Sequence, residues 1–317
     1  MDELASRRGA FCTRLGVVVL FGGLSLLPAC ADRAPTAPNP ITHPQPPPPP
    51  PVTPAGPAVL VGAGDIAVCG PDLATAELTA RLLDGIDGTV FTAGDNTQHL
   101  GTAQEFRDCY GPTWGRHRAR TRPSPGNHDY GTPNAAPYFD YFGAAAGSPG
   151  EGYYSYELGG WHVVALNSNL SMERGSAQAS WLRRDLEANT SLCTAAYWHH
   201  PLRSSATNGG TGAVRHAWEL LHEFGAEIVM NGHDHLFERF APQDPGGRHD
   251  PHRGIRQFTV GTGGYPLYPI AKIQPNSEVR GHSHGVLRLT LRPDGYDWTF
   301  VPVPGGQFSD SGSGACH

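Results

Sequence analysis

Five short polar motifs, four of them at the end of an apolar run, constrain the fold of this 317-residue chain more than any other feature. In chain order they are Gly64-Asp65, Gly94-Asp95-Asn96, Gly126-Asn127-His128-Asp129, His199-His200-Pro201 and Gly232-His233-Asp234-His235. A mixture of carboxylate, amide and imidazole donors suits a pair of transition-metal or zinc-type ions better than a calcium cage or a thiolate zinc site. The sequence therefore predicts a fold that gathers these motifs around metal ions.

The segments around the motifs predict strands that alternate with helices. Short apolar runs, typical of buried strands, precede four of the motifs at residues 58–61, 89–92, 194–198 and 226–230. Leucine spacing near three and four predicts helices over residues 73–83, 177–186 and 214–224. Alternating strands and helices favour an α/β layer architecture whose sheet carries the site on its rim.

Taken in this order, the motifs resemble those of the calcineurin-like metallophosphoesterase superfamily. Residues 127–130, 199–202 and 232–239 are most similar to its purple acid phosphatase-like branch. The resemblance extends over roughly residues 58 to 305. It implies an α/β fold built as a four-layer α-β-β-α sandwich of two mixed sheets. In such a fold the metals lie at the carboxyl ends of the strands, where open α/β sheets generally bind ligands.

The same resemblance implies two metal ions, with iron, zinc and manganese as the candidates, and six protein ligands. The ligands are Asp65, Asp95, Asn127, His199, His233 and His235. Asp95 is expected to bridge the two ions, Asp65 and His235 to complete one of them, and the other three residues to complete the second. A water shared by the ions is then expected to lose a proton and attack phosphorus as hydroxide.

Two residues of the third motif carry the expected proton chemistry. His128 should donate a proton to the departing oxygen or stabilise the developing charge, and Asp129 should orient the His128 ring. Asp234 is expected to support the neighbouring ligands by hydrogen bonds. If the strand before His199 continues, the side chain of His200 points the opposite way, so both packing and contact with substrate phosphate stay open for it.

The chain departs from the family patterns at two positions. Gln98 stands where the purple acid phosphatase pattern has the tyrosine that gives the iron its colour, and Ala67 stands where many phosphodiesterases have a histidine. Only three protein ligands then remain for the first ion, and either the Gln98 carbonyl oxygen or a water could fill the gap. We therefore predict a colourless protein with a weaker first metal site.

The motifs predict a metal-dependent hydrolase of phosphate monoesters acting on a small phosphorylated substrate. A phosphodiesterase or nucleotide hydrolase would use the same core motifs. An alternative of another class is a non-catalytic surface-binding protein on this scaffold, which only the Gln98 substitution favours. The net charge of −6, without a basic patch, argues against nucleic acid as the main partner.

The amino-terminal residues predict export. Basic residues precede an apolar run over residues 15–27, which has the length of a signal peptide, and Leu27-Pro28-Ala29-Cys30 resembles a bacterial lipoprotein box. An ordinary cleaved signal is the alternative. We predict a signal peptide over residues 1–30, a proline-rich disordered tether over 31–57 and a metallophosphoesterase domain over 58–317. The protein would then be a cell-envelope lipoprotein, anchored through Cys30 at the outer membrane or the cell surface.

Four cysteines remain after the signal segment: Cys69, Cys109, Cys193 and Cys316. An even number in an exported protein implies two disulfides, for which three pairings are possible. We favour Cys69 with Cys109, near the front of the site, and Cys193 with Cys316, which would fasten the carboxyl-terminal tail to the sheet.

Overall fold

The computed structural model describes residues 56–317, which form two β-sheets with helices on their outer faces. The predicted signal segment (residues 1–30) and nearly all of the predicted tether (residues 31–57) lie outside the described residues. Within residues 56–317, no helix combines the length and the hydropathy needed to cross a bilayer.

Six strands form the first sheet and seven form the second. The first contains β1 (Ala58–Ala63), β2 (Thr89–Ala93), β3 (Thr121–Ser124), β11 (Gly285–Arg292), β12 (Gly295–Pro302) and β13 (Ser311–Ala315), in the order β13-β12-β11-β1-β2-β3. The second contains β4 (Tyr154–Leu158), β5 (Trp161–Ala165), β6 (Cys193–Trp198), β7 (Ile228–Asn231), β8 (Phe237–Phe240), β9 (Arg256–Val260) and β10 (Ser277–Gly281), in the order β10-β8-β9-β7-β6-β5-β4. Both sheets are mixed: β1, β2 and β3 pair in parallel, as do β5, β6, β7 and β9, and the other pairings are antiparallel.

Five α-helical segments connect these strands. They are α1 (Leu73–Asp84), α2 (Ala103–Glu105), α3 (Ala136–Phe142), α4 (Ala177–Ala188) and α5 (Arg215–Glu223). The start of α4 shows a local cause, because the Ser176 hydroxyl accepts a hydrogen bond from the free N–H of Ala179 at 3.1 Å. The three predicted helices are confirmed as α1, α4 and α5, with ends that differ by no more than two residues.

The layers follow from which face each element buries. The two sheets share an apolar core, in which the Phe91 ring of β2 lies 5.6 Å from the Tyr197 ring of β6. The opposite face of the second sheet packs on α4 and α5, with Val229 of β7 and Trp218 of α5 in one buried cluster. Helix α1 lies against β11 of the first sheet. This is the predicted four-layer α-β-β-α sandwich.

β3 is among the strands that the apolar runs did not predict. β3 has the sequence Thr-Arg-Pro-Ser, which lacks an apolar run and contains Pro123. It is an edge strand of the first sheet, where a proline is tolerated because one side of the strand has no partner. Its position matters for the site, since β3 leads directly into the third motif.

Both favoured disulfides are confirmed. Cys69 pairs with Cys109 across 40 residues, and Cys193 pairs with Cys316 across 123 residues. The first joins the loop after β1 to the π-helical turn Phe106–Tyr110. The second joins the start of β6 to the residue after β13, so the tail is fastened to the second sheet as expected.

Candidate metal centre

The five motifs meet because the strands that precede them end at the same edge of the two sheets. The loops after these strands bind one another through backbone hydrogen bonds, such as Asp65 N–H to the Gly94 carbonyl at 3.1 Å and Gly232 N–H to the His199 carbonyl at 3.0 Å. A further bond, from Gly64 N–H to the Val260 carbonyl at 2.9 Å, joins the first sheet to the second. The candidate site therefore lies where the two sheets adjoin.

Three of the six expected ligands have a strained backbone. Asp65, Asp95 and His233 have φ values of 60°, 49° and 71°, in the left-handed region that side chains with a Cβ rarely occupy. Such conformations cost about 1–3 kcal/mol each and cluster at functional sites. The fold maintains this strain at the residues whose side chains converge.

Glycine beside the ligands is required for close approach. A Cβ on Gly126 would lie 2.1 Å from Asp95 Oδ1, and one on Gly232 would lie 2.7 Å from Asp65 Oδ2. Neither position has room for a side chain, so these two glycines are needed for the packing of the motifs around the carboxylates.

At the centre of the site, lone pairs of His199, Asn127 and Asp95 face one another with no hydrogen-bond donor between them. The Nδ1 of His199 lies 2.8 Å from the Ala93 carbonyl, which therefore holds the proton on Nδ1. The Nε2 lone pair then faces the Asn127 Oδ1 at 3.0 Å and the Asp95 Oδ2 at 3.2 Å. Three acceptor atoms at these distances repel one another unless a proton or a cation lies among them.

The pKa values of His199 and Asp95 also show that the centre favours a positive charge. Burial by itself lowers the pKa of His199, but the Asp95 carboxylate outweighs it and raises the value to about 9. Burial correspondingly raises the pKa of Asp95, and the His199 charge more than offsets this and leaves it below its usual range. A bound divalent ion would supply the positive charge that a proton on His199 supplies when no ion is bound.

A second group of donors repeats this pattern. The Nδ1 of His235 lies 3.0 Å from the Pro266 carbonyl, so its Nε2 lone pair faces the Asp65 Oδ1 at 3.1 Å. This Oδ1 is buried and, among residues 56–317, has no hydrogen-bond donor, whereas Oδ2 accepts the His233 backbone N–H at 2.8 Å. A buried carboxylate oxygen that faces an imidazole lone pair is fitted to a cation.

His233 completes the donor set as a neutral imidazole. Its Nδ1 lies 3.3 Å from His199 Nε2, and burial followed by the charge of His199 lowers its pKa to about 3. The side chains of Asp65, Asp95 and His199 likewise offer donor atoms within 4.8 Å of one another. Carboxylate oxygens and neutral imidazoles are the ligands that zinc-type and other first-row divalent ions accept, so the six residues fit the metals that the sequence implied.

The expected contact between Asp129 and the His128 ring is not made. The His128 Nδ1 instead lies 2.9 Å from the His99 carbonyl, and Nε2 lies 3.9 Å from Asp95 Oδ2. His99 thus contributes through its backbone, which itself has a φ of 77°. The prediction that Asp129 orients His128 is therefore wrong.

Asp129 instead holds two motif loops together. Its Oδ2 accepts the backbone N–H groups of Gly126 at 2.9 Å and of Asn96 at 3.2 Å, and also the Asn96 side-chain amide at 3.0 Å. Burial and then the Asp95 charge raise the pKa of Asp129 to about 7, against the effect of these donors. The carboxylate supports the loop that carries Asp95, which the spacing within one motif could not reveal.

The neighbours of the ligand histidines take different roles. Strand β6 ends at Trp198, so the alternation of side chains along a strand does not turn His200 away from the site. The centroid of the His200 ring lies 4.4 Å from that of the His233 ring. Asp234 is buried and accepts the Asn208 backbone N–H at 3.1 Å, in agreement with the predicted supporting role.

Two aromatic residues of the site lie outside the five motifs and were not predicted from the sequence. The Tyr268 ring stacks on His235 with centroids 3.9 Å apart, and the Tyr265 ring meets it edge-on at 4.7 Å. They follow the glycine-rich turn after β9, which packs on the first motif through Gly263 N–H to the Gly64 carbonyl. The glycine-rich turn over residues 261–264 is the sequence feature that could have pointed to these two tyrosines. Gln98 is also buried, and neither polar atom of its side chain has a hydrogen-bond partner among the described residues.

The fold and the donor set together define a two-sheet α/β protein with a metal-binding centre at its strand ends. Residues 58–237, more than half of the chain, match the family model of calcineurin-like phosphoesterases, and the chain belongs to this family.

Relatives of the chain include plant purple acid phosphatases. Purple acid phosphatase 15 of Arabidopsis thaliana is 36% identical over 100 residues, which cover 30% of this chain and 19% of that protein. Purple acid phosphatase 21 of the same plant is 28% identical over 257 residues, covering 71% of this chain and 57% of that protein. The chain thus spans less than two thirds of the length of these relatives.

Solved structures share the fold. Purple acid phosphatase PPD1 from yellow lupin (Lupinus luteus) superposes with a TM-score of 0.72 at 20% identity, over 82% of this chain and 54% of that one. GAP50, described as the anchor in the inner membrane complex of Plasmodium, superposes with a TM-score of 0.66 at 12% identity, over 83% of this chain and 90% of that one. At such identities the likeness concerns the fold and leaves the activity to be argued from the site.

Proposed function

We propose that this protein hydrolyses phosphate monoesters by means of two metal ions. The observation that carries the proposal is the meeting of imidazole, amide and carboxylate lone pairs around Asp95 and Asp65, which a cation would hold together. The family supports a phosphoesterase, and the purple acid phosphatase relatives support a phosphatase with a dinuclear centre.

The two groups of donors would hold one ion each. Asp65 and His235 would hold the first, while Asn127, His199 and His233 would hold the second. Asp95 would be shared, because its Oδ2 faces His199 and it belongs to the same donor cluster as Asp65. When bound, such ions stabilise charge on the phosphoryl oxygens and lower the pKa of water to near neutrality.

The protein groups around this centre would control proton transfer. His128 is held at Nδ1 by the His99 carbonyl, and its side chain is 37% exposed, so Nε2 is available to a leaving group that approaches from solvent. Because the His99 carbonyl holds a proton on Nδ1, His128 would give a proton from Nε2 to the departing oxygen as the doubly protonated imidazolium, and would be left neutral. Asp129 would act on the loop that carries Asp95, holding the carboxylate in place through the Asn96 and Gly126 N–H groups.

A comparison of two substrates tests the proposal. The purified protein, loaded in turn with manganese, zinc and iron, should hydrolyse an aryl phosphate monoester faster than the corresponding bis-aryl diester. The reverse preference would instead identify a phosphodiesterase.

A substitution distinguishes catalysis from a non-catalytic scaffold. Asp95→Asn keeps the size of the side chain but removes the charge that the centre shares. We expect it to lower the turnover number by about 100-fold or more, with an unchanged circular dichroism spectrum. Equal activity in the mutant would reject the site assignment, and no activity in the metal-loaded wild type would favour a binding protein.

We further propose that the domain works outside the cytoplasm, anchored in the cell envelope through Cys30. The two disulfides support an oxidising compartment. Metabolic labelling with a fatty acid tests the anchor: label on the wild type and none on Cys30→Ser is expected. Label on neither protein, with secretion intact, would indicate an ordinary cleaved signal.

A further inference from the structure

The Nδ1 of His200 has a different hydrogen-bond partner from the Nδ1 of two ligand histidines. In His199 and His235, a backbone carbonyl holds the proton on Nδ1 and leaves the Nε2 lone pair for a metal. No such carbonyl contacts His200 among the described residues. Its Nδ1 lies instead 2.8 Å from the Ser168 hydroxyl oxygen.

The Ser168 hydroxyl is placed to influence which nitrogen of His200 is protonated. Its oxygen already accepts the His200 backbone N–H at 3.1 Å. Within residues 56–317, His200 Nδ1 is the one hydrogen-bond acceptor that the hydroxyl contacts, and a hydroxyl that donates to Nδ1 while it accepts the backbone N–H uses both of its hydrogen-bonding roles. A neutral imidazole that accepts at Nδ1 carries its proton on Nε2.

The His200 ring lies beside the metal centre. One of its ring nitrogens lies within 4.8 Å of nitrogens of both His199 and His233, and its side chain is only partly buried. In the described part of the chain, no lysine or arginine forms an ion pair with Asp65 or Asp95. An imidazole N–H at this position is a donor that a phosphate oxygen at the centre would accept.

We propose that His200 binds and positions the substrate phosphate by donating its Nε2–H to a phosphate oxygen, and that it is not a metal ligand. This proposal rests on the proposed phosphoesterase function. Ser168 acts through His200 by keeping the proton on Nε2.

Binding of inorganic phosphate to the zinc-loaded full-length chain tests this role without any turnover. His200→Leu removes the donor, whereas His200→Gln keeps an amide N–H near the position of Nε2. By isothermal titration calorimetry we expect the leucine variant to bind phosphate roughly tenfold or more weakly, since a hydrogen bond to a charged group is lost. The glutamine variant should stay within about threefold of the wild type.

The zinc content separates positioning from metal binding. Both His200 variants should retain the zinc of the wild type, while His199→Leu should lose part of it. Zinc lost from His200→Gln, or phosphate binding unchanged in His200→Leu, would overturn the proposal. Phosphate binding that depends on His200 in a protein that hydrolyses no monoester would reject the proposed function and leave the role of His200 standing.

The tautomer can be observed directly. Long-range ¹H–¹⁵N correlation spectra of the zinc-loaded protein should show His200 protonated at Nε2, and Ser168→Ala should move part of the population to Nδ1. A wild-type His200 protonated at Nδ1 would overturn the assignment.

Discussion

Removing the metal should make the stability of this protein depend on the proton of His199. The side chain is fully buried, and although burial lowers its pKa, Asp95 raises it to about 9 in the metal-free protein, against about 6.5 in an unfolded chain. Because the folded-state value is the higher one, the contribution is complete below about pH 6.5 and is lost as the pH rises through about 9. The difference between the folded-state and unfolded-state pKa values of His199 corresponds to a contribution of about 3 kcal/mol to the free energy of unfolding.

Urea unfolding with and without a chelator measures this effect. Between about pH 6 and about pH 10, the free energy of unfolding of the metal-free wild type should fall by about 3 kcal/mol more than that of metal-free His199→Gln. In the metal-loaded wild type a cation takes the place of the proton, so this part of the fall should disappear.

His162 provides a matched control away from the metal centre. It is buried between Glu157 at 2.8 Å and Asp185 at 2.7 Å, and these carboxylates raise its pKa in spite of burial. His162→Gln should therefore change the pH dependence in the same direction, but equally with and without metal. An identical fall in metal-free wild type and His199→Gln, or a fall in the wild type that metal does not reduce, would refute the reasoning.

Three further predictions concern separate parts of the molecule. His128→Ala should slow hydrolysis of alkyl phosphates by roughly 10²- to 10⁴-fold and of nitrophenyl phosphate much less, since nitrophenolate leaves without a proton; equal losses in kcat would contradict the proton donor. Replacing Cys193 and Cys316 by serine should lower the free energy of unfolding by about 5 kcal/mol, because the bond closes a 123-residue loop; a change below about 1 kcal/mol in urea unfolding would contradict it. The iron-loaded protein should lack an intense visible band, since Gln98 stands at the tyrosine position; such a band in its absorption spectrum would contradict the prediction.

The sequence predicted the ends of buried strands better than the edges of the sheets. A run such as residues 194–198 signals its strand locally, since a buried parallel strand is apolar throughout. β3 gives no such signal, because an edge strand can contain arginine and proline. The orientation of His200 failed for a related reason: alternation assumes a continuing strand, and β6 ends two residues earlier.

The chemistry of the histidines lies beyond what any motif can specify. His199 and His200 are adjacent in sequence, yet a carbonyl of β2 holds the proton on Nδ1 of the first, while in our proposal the hydroxyl of Ser168, 32 residues away, directs it to Nε2 of the second. A lone pair binds a metal and an N–H binds a phosphate oxygen, so two identical side chains acquire opposite roles from partners remote in the chain. Ser168→Ala is accordingly expected to weaken phosphate binding without loss of zinc, although Ser168 belongs to none of the five motifs. Unchanged phosphate affinity in that variant would mean that the ring adopts the Nε2–H form without its serine partner.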